Sequence, residues 1–134
     1  MELGKAFLIS ALGIKAQDAR MKVIAENLAN ANTTGSGGGD PYQRKIVAFR
    51  EMVDGESGVR GVGVSGIVAD KSDFPTKYDP GNPAADASGF IRMPNVNPLI
   101  EVMDMRDAQR SYEANLTLME ASRAMLLKTI DLIR

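Results

Sequence analysis

Two stretches of helical apolar spacing, one at each end of the chain, constrain this sequence more than any other feature. In the first, Phe7, Ile14, Met21 and Leu28 recur every seven residues, and Ile9, Leu12, Ala16, Ala19 and Val23 follow alternating steps of three and four. In the last, Val102, Met105, Gln109, Tyr112, Leu116, Met119, Arg123, Leu126, Ile130 and Ile133 keep the same alternation without a break. Such spacing lines one face of a helix. It predicts one helix over residues 3–30 and a second from residue 98 onward. Asn97 is suited to cap the second helix, Pro98 to open it, and Glu101 and Asp104 to face the positive end of its dipole.

Between the two stretches the composition changes. Eleven of the thirteen glycines lie within 35–89, and all six prolines within 41–98. Both residue types interrupt helices. The division that follows is 1–34 as the N-terminal helix of a bundle domain, 35–97 as a Gly/Pro-rich β insert, and 98–134 as the C-terminal helix of the bundle. The fold class expected is mainly α with a small β insert, the long terminal helices forming an α-helical coiled-coil-like bundle around the irregular β segment. Short strands are predicted at 44–50, 61–68 and 90–93, with Gly66 marking a bulge or a close backbone approach.

The last helix is longer than a single domain of 134 residues needs, and it carries a second, weaker stripe that includes Ile100, Met103, Leu118, Met125 and Leu132. One partner helix cannot cover both stripes, so the spacing implies more than one neighbour. Gln109 and Arg123 interrupt the main seam. Polar residues there either set register or reach solvent from the edge of the seam.

Chemistry is excluded more readily than it is found. The chain has no Cys and no His, which removes disulfides, thiolates, common zinc sites and the usual general base. Sixteen basic residues against seventeen acidic ones leave a net charge of −1, with no electrostatic footprint for nucleic acid or an anionic membrane. The run Gly35-Ser36-Gly37-Gly38-Gly39 is followed by Asp40 and Pro41 where a phosphate loop needs Lys and Ser or Thr, and so reads as a connector. Asp70, Asp73, Asp79 and Asp86 lack the spacing of a calcium loop and read as turn residues. Arg44, Lys45 and Arg50 around Phe49 read as a strand edge guarded by charge. No nucleophile has a partner nearby, so no enzyme, catalytic residue, metal or cofactor is expected. No apolar run approaches the roughly 18 residues of a membrane span. The N-terminus, with Glu2 and no apolar core before a small-residue cleavage site, does not read as a signal peptide.

Specific runs carry a resemblance. Ser10-Ala11-Leu12, Gln17, Arg20-Met21 and the stretch Val23-Ile24-Ala25-Glu26-Asn27-Leu28-Ala29-Asn30-Ala31-Asn32-Thr33-Thr34 resemble the N-terminal signature of bacterial flagellar rod and hook proteins. Residues 108–115 (Ala-Gln-Arg-Ser-Tyr-Glu-Ala-Asn) and 125–132 (Met-Leu-Leu-Lys-Thr-Ile-Asp-Leu) resemble the other terminal signature of that family. Residues 41–45, 78–86 and 89–97 are similar to its proximal-rod members, with Asn82 standing where the usual motif has His. The resemblance implies a structural subunit of the proximal rod of the flagellar basal body, assembling helically through its terminal helices and carrying torque from the membrane ring toward the hook. It also implies export by the flagellar type III apparatus without signal cleavage, and a periplasmic location. The implied partners are copies of the chain itself, other rod proteins, the membrane-ring adaptor and the export apparatus. The residues expected at the assembly interface are Ile14, Met21, Leu28, Val102, Met105, Tyr112, Leu116, Met119, Leu126 and Ile130.

Overall fold

The computed structural model describes residues 2–35 and 39–134. Ser36, Gly37 and Gly38, at the centre of the run read as a connector, lie outside the described residues. Helix α1 spans Glu2–Ala29 and helix α2 spans Pro98–Ile133, with four strands between them: β1 (Lys45–Val53), β2 (Arg60–Ala69), β3 (Thr76–Tyr78) and β4 (Phe90–Arg92). The protein is mainly helical with a small β insert.

Local chemistry ends each helix where the sequence changes character. The Asn30 side chain donates to the Glu26 carbonyl at 2.9 Å while Thr33 Oγ1 donates to Asn30 Oδ1 at 3.1 Å, so the Asn-rich tail of α1 closes on itself and stops propagating. At the start of α2 the Asn97 side chain accepts from the Leu99 amide at 3.1 Å, and Pro98 occupies the first turn. The 36 residues of α2 make a rod about 54 Å long at 1.5 Å per residue.

The strands form two antiparallel hairpins. In the larger, β1 pairs with β2 from Lys45↔Ala69 to Val53↔Arg60, and Ser65 is the extra residue of a bulge where the register shifts between Ala48 and Phe49. Its side chain donates to the Ala48 carbonyl at 3.1 Å. The bulge thus adjoins Gly66, one of the two roles the sequence offered that glycine. At the tip, Asp54 Oδ2 accepts from the Ser57 amide at 2.9 Å and Gly58 takes a positive φ of 66°. In the smaller hairpin β3 pairs with β4, Tyr78 against Phe90. Strand β3 escapes sequence reading because three residues, Thr-Lys-Tyr, carry no periodicity.

Helix α1 packs on α2 along one side and on the β1–β2 hairpin along another. The helices run antiparallel: Asn27 meets Glu101, Gly13 meets Asn115, and Leu3 and Phe7 share a notch with Ser122 and Leu126. The predicted stripes are partly where the packing lies. On α1, Gly13, Arg20 and Asn27 meet α2, Ala16 and Val23 are buried, and Ile14, Met21 and Leu28 are half-buried. On α2 the buried residues are Glu101, Ala108 and Ser122. Gln109 and Arg123, expected in the seam, are exposed in the single chain. A Cβ on Gly13 would fall 2.7 Å from the Asn115 amide nitrogen, so the Asn115 side chain rests directly on this glycine.

Beyond Ser122 every residue of α2 is exposed, so its last turns are held by backbone hydrogen bonds and little packing. Hydrogen exchange on the purified chain should therefore find the amides of 123–133 much less protected than those of 101–115. Equal strong protection along the whole helix would contradict this packing.

Candidate assembly interface

The interface is organised around a polar knot at the joint between α1, α2 and β1. Glu101 is fully buried. Its two carboxylate oxygens accept from Arg44 Nε and, at 3.2 Å, from Asn27 Nδ2. Asn27, itself buried, is fully used: Nδ2 also donates to the Lys45 carbonyl at 2.9 Å, and Oδ1 accepts from the Lys45 amide at 3.0 Å and the Tyr42 hydroxyl at 2.8 Å. Arg44 spreads its remaining charge over Asp70 at 3.2 Å and Asp104 at 3.6 Å. Arg44 is thus the half-buried centre of an ion-pair network and not the exposed guard of a strand edge that the sequence suggested. Asn95 completes the joint, accepting from the Arg44 amide at 2.7 Å and donating to the Asp70 carbonyl at 3.0 Å.

These contacts shift the groups in it. Burial would lower the Arg44 pKa, but its hydrogen bond to Glu101, the Glu101 charge and Asp70 outweigh that and raise it. Asp70 is held below the usual carboxylate value, first by the Ser72 amide, with the Ser72 hydroxyl and Arg44 adding to it. Tyr42 is raised, chiefly by burial and by Glu26, so its hydroxyl remains a donor to Asn27 through the neutral range. Of the other aspartates read as turn residues, Asp86 closes one: its Oδ1 accepts from the Ser88 and Phe90 amides at 2.8 and 3.0 Å.

Outside this joint many large apolar side chains are exposed. Of the expected interface residues, Met105, Tyr112, Leu116 and Met119 are half-buried, whereas Val102, Leu126 and Ile130 are 41%, 36% and 46% exposed. Leu99, Ile100 and Met103 extend the exposed set at the N-terminal end of α2, and Leu127, Leu132 and Ile133 extend it at the C-terminal end. The structure therefore does not bring the ten residues together within one chain. It distributes them between the edges of the helix pair and open solvent. Where the helices end together, Leu3, Gly4, Phe7, Ser122, Arg123 and Leu126 line an apolar notch of about 300 Å³. A further surface was missed by sequence reasoning: Phe49, Val53, Val62, Ile67 and Val68 are exposed on the β1–β2 hairpin. The alternation of Val62 and Val64 with glycine was the available signal, since a two-stranded ribbon has too little partner to cover both faces.

Comparison with known proteins agrees at both ends of the chain. Residues 7–35 match the family model described as "Flagella basal body rod protein", and residues 87–132 match "Flagellar basal body rod FlgEFG protein C-terminal". The helix pair and its joint are thus those of a flagellar rod protein. Over the whole length the chain is 47% identical to the flagellar basal-body rod protein FlgC of Agrobacterium fabrum, covering 98% of this chain and 96% of that protein. It is 39% identical to FlgC of Bacillus subtilis, covering 92% and 93%, and 36% identical to FlgC of Salmonella typhimurium, covering 98% of each. The chain belongs to the FlgC family of flagellar basal-body rod proteins, whose members are structural parts of the flagellum and not enzymes. Among the described residues no helix is long and apolar enough to cross a membrane.

The joint makes a specific stability prediction. Arg44→Leu leaves Glu101 buried without its counter-charge and should cost on the order of 3–5 kcal/mol. The double variant Arg44→Leu/Glu101→Leu should cost less than the single one, because no charge is then stranded. Urea unfolding of four chains, the native one, Arg44→Leu, Glu101→Leu and the double variant, decides this, and a double variant that loses the sum of both single effects would refute the pairing. The pH dependence has a definite sign. The depressed Asp70 pKa stabilises the fold above its unfolded value near 4, and that contribution is lost as pH falls through the lower folded value. The raised Tyr42 pKa stabilises below about 10 and that contribution is lost at higher pH. Urea midpoints should therefore be level across the neutral range and fall toward both extremes.

Proposed function

We propose that this chain is a structural subunit of the proximal rod of the flagellar basal body, assembling helically through its terminal helices and transmitting torque from the membrane ring toward the hook. The single observation that carries the reading is that α2 keeps large apolar side chains exposed at both ends, Val102 and Met103 at one and Ile130 and Leu132 at the other, on a helix about 54 Å long. A monomer rarely leaves so many large apolar side chains open to water without a partner for them. Membership of the rod family supplies the kind of partner, namely other rod subunits, including copies of this chain.

In this reading residues 1–34 and 98–134 form the coiled-coil-like bundle of the rod wall, and 35–97 form an insert carried on it. Ile14, Met21, Leu28, Val102, Met105, Tyr112, Leu116, Met119, Leu126 and Ile130 supply the contacts between subunits. Torque passes through packing, since many shallow apolar contacts, each weak alone, resist shear together when repeated around a tube. The further partners are the membrane-ring adaptor and the flagellar type III export apparatus. The location is the periplasmic part of the basal body, reached without signal cleavage.

Assembly and folding are separable by substitution, because Val102 and Ile130 are both largely exposed in the single chain. Val102→Asp/Ile130→Asp should change the stability of the purified protein by no more than about 1 kcal/mol. In a strain lacking its own copy the variant should fail to restore swimming, because the assembled rod would have to bury two carboxylates. Full swimming with both substitutions in place would refute the assignment of these residues to the interface.

A further inference from the structure

Most cations of α1 and the larger hairpin are matched within the chain: Lys5 by Glu2, Arg20 by Asp104 and Asp107, Lys22 by Asp18, Lys45 by Glu26 and Arg60 by Glu51. Two are not. Among the described residues Lys15 and Arg50 are exposed and make no ion pair. Both line one groove of about 290 Å³ between α1 and the β1–β2 hairpin, and no carboxylate lines it with them. Its other walls include Leu12, Met52, Val62 and Val64. The groove thus joins apolar walls to two unmatched positive charges.

The matching charges lie on α2. Glu113 and Glu120 are exposed and make no ion pair among the described residues. Seven residues apart, they share one face of the helix, separated by about 10 Å along its axis. That face is turned about 120–140° from Ala108, which is buried in the packing of α2 within the chain. Leu127, 52% exposed, continues it two turns beyond Glu120, and the exposed Arg106 and Arg123 border it. The groove belongs to α1 and the hairpin, the acidic face to α2, and no ion pair joins them within one chain. Two different surfaces of one chain that fit each other make a heterologous contact, which repeats from copy to copy as an open helix unless the rotation closes a ring.

We propose that the groove between α1 and the β1–β2 hairpin receives the Glu113–Glu120 face of α2 from a second copy of this chain, with Lys15 and Arg50 pairing with the two glutamates. The inference rests on the rod reading above and deepens it by naming which surface of one copy meets which surface of the next. Exposed ion pairs add little cohesion, but complementary charge selects the partner and fixes its register. Cohesion comes from covering the apolar walls of the groove.

Charge reversal tests the contact in a strain lacking its own copy. Lys15→Glu/Arg50→Glu and Glu113→Lys/Glu120→Lys should each fail to restore swimming, because each sets like charges against one another. The chain carrying all four substitutions should restore it, since the second copy then offers lysines to glutamates. All four positions are exposed, so the urea midpoints of the purified variants should stay close to the native one. Should a reversal lower the midpoint, the neutral pairs Lys15→Gln/Arg50→Gln and Glu113→Gln/Glu120→Gln replace it. Combining these should then impair swimming no more than either pair alone, and a summed loss would overturn the proposal. Full swimming with either reversal alone would also overturn it. So would a fourfold variant that swims no better than its two parents, the outcome expected if the groove takes an acidic face of a different rod protein. A native chain that fails to restore swimming counts against the rod reading and this contact together, whereas native rescue without rescue by the fourfold variant strikes the contact alone.

Discussion

The structure depends on one buried carboxylate. Glu101 sits in the first turn of α2 with no access to water and is neutralised by Arg44, a residue that immediately precedes β1. An ionised group in that position is tolerable only if its counter-charge and hydrogen bonds are all present. They are supplied from three places in the chain: Asn27 from the last turns of α1, Arg44 from the start of the insert, and Asp70 from just beyond β2, the last holding the far side of Arg44. A joint of this kind determines where both helices and the larger hairpin sit relative to one another, although they are far apart in sequence.

Its second consequence concerns what is left over. Beside the helix pair, Met103, Leu127, Leu132 and Ile133 of α2 remain exposed. In the rod reading this exposed set is completed only by neighbours. The exposed valines and Phe49 leave the hairpin with uncovered apolar side chains of its own.

The sequence made the architecture legible because its signals are local: 3,4 spacing for the helices, Asn97 and Pro98 for the start of α2, and the Gly/Pro enrichment for the insert. It also gave the period of the helix seam. It did not give the polar contacts made between the helices, because apolar spacing marks only the stripe that wants cover. Gly13, Ala108 and Ser122 carry no hydrophobic signal, and Asn27 and Glu101 look like surface residues until Arg44 is known to lie beside them. The basic cluster at 44–50 was legible as charge but not as a joint, since its partners Asp70 and Glu101 lie 26 and 57 residues away. The family signatures already contained Asn27 and Asn115; the structure shows where each lies, one closing the joint and the other resting on Gly13.

The central claim is that the helix pair of the single chain enters the assembled rod intact, with its polar joint inside and its apolar edges against other subunits. An image of the intact basal body at side-chain resolution, with this chain traced in it, tests that claim most directly. The account predicts Glu101 still paired with Arg44 and Asn27, and Val102, Leu126 and Ile130 covered by neighbouring helices. A rod in which the Glu101–Arg44 pair is broken, or in which those three residues face water, would contradict it.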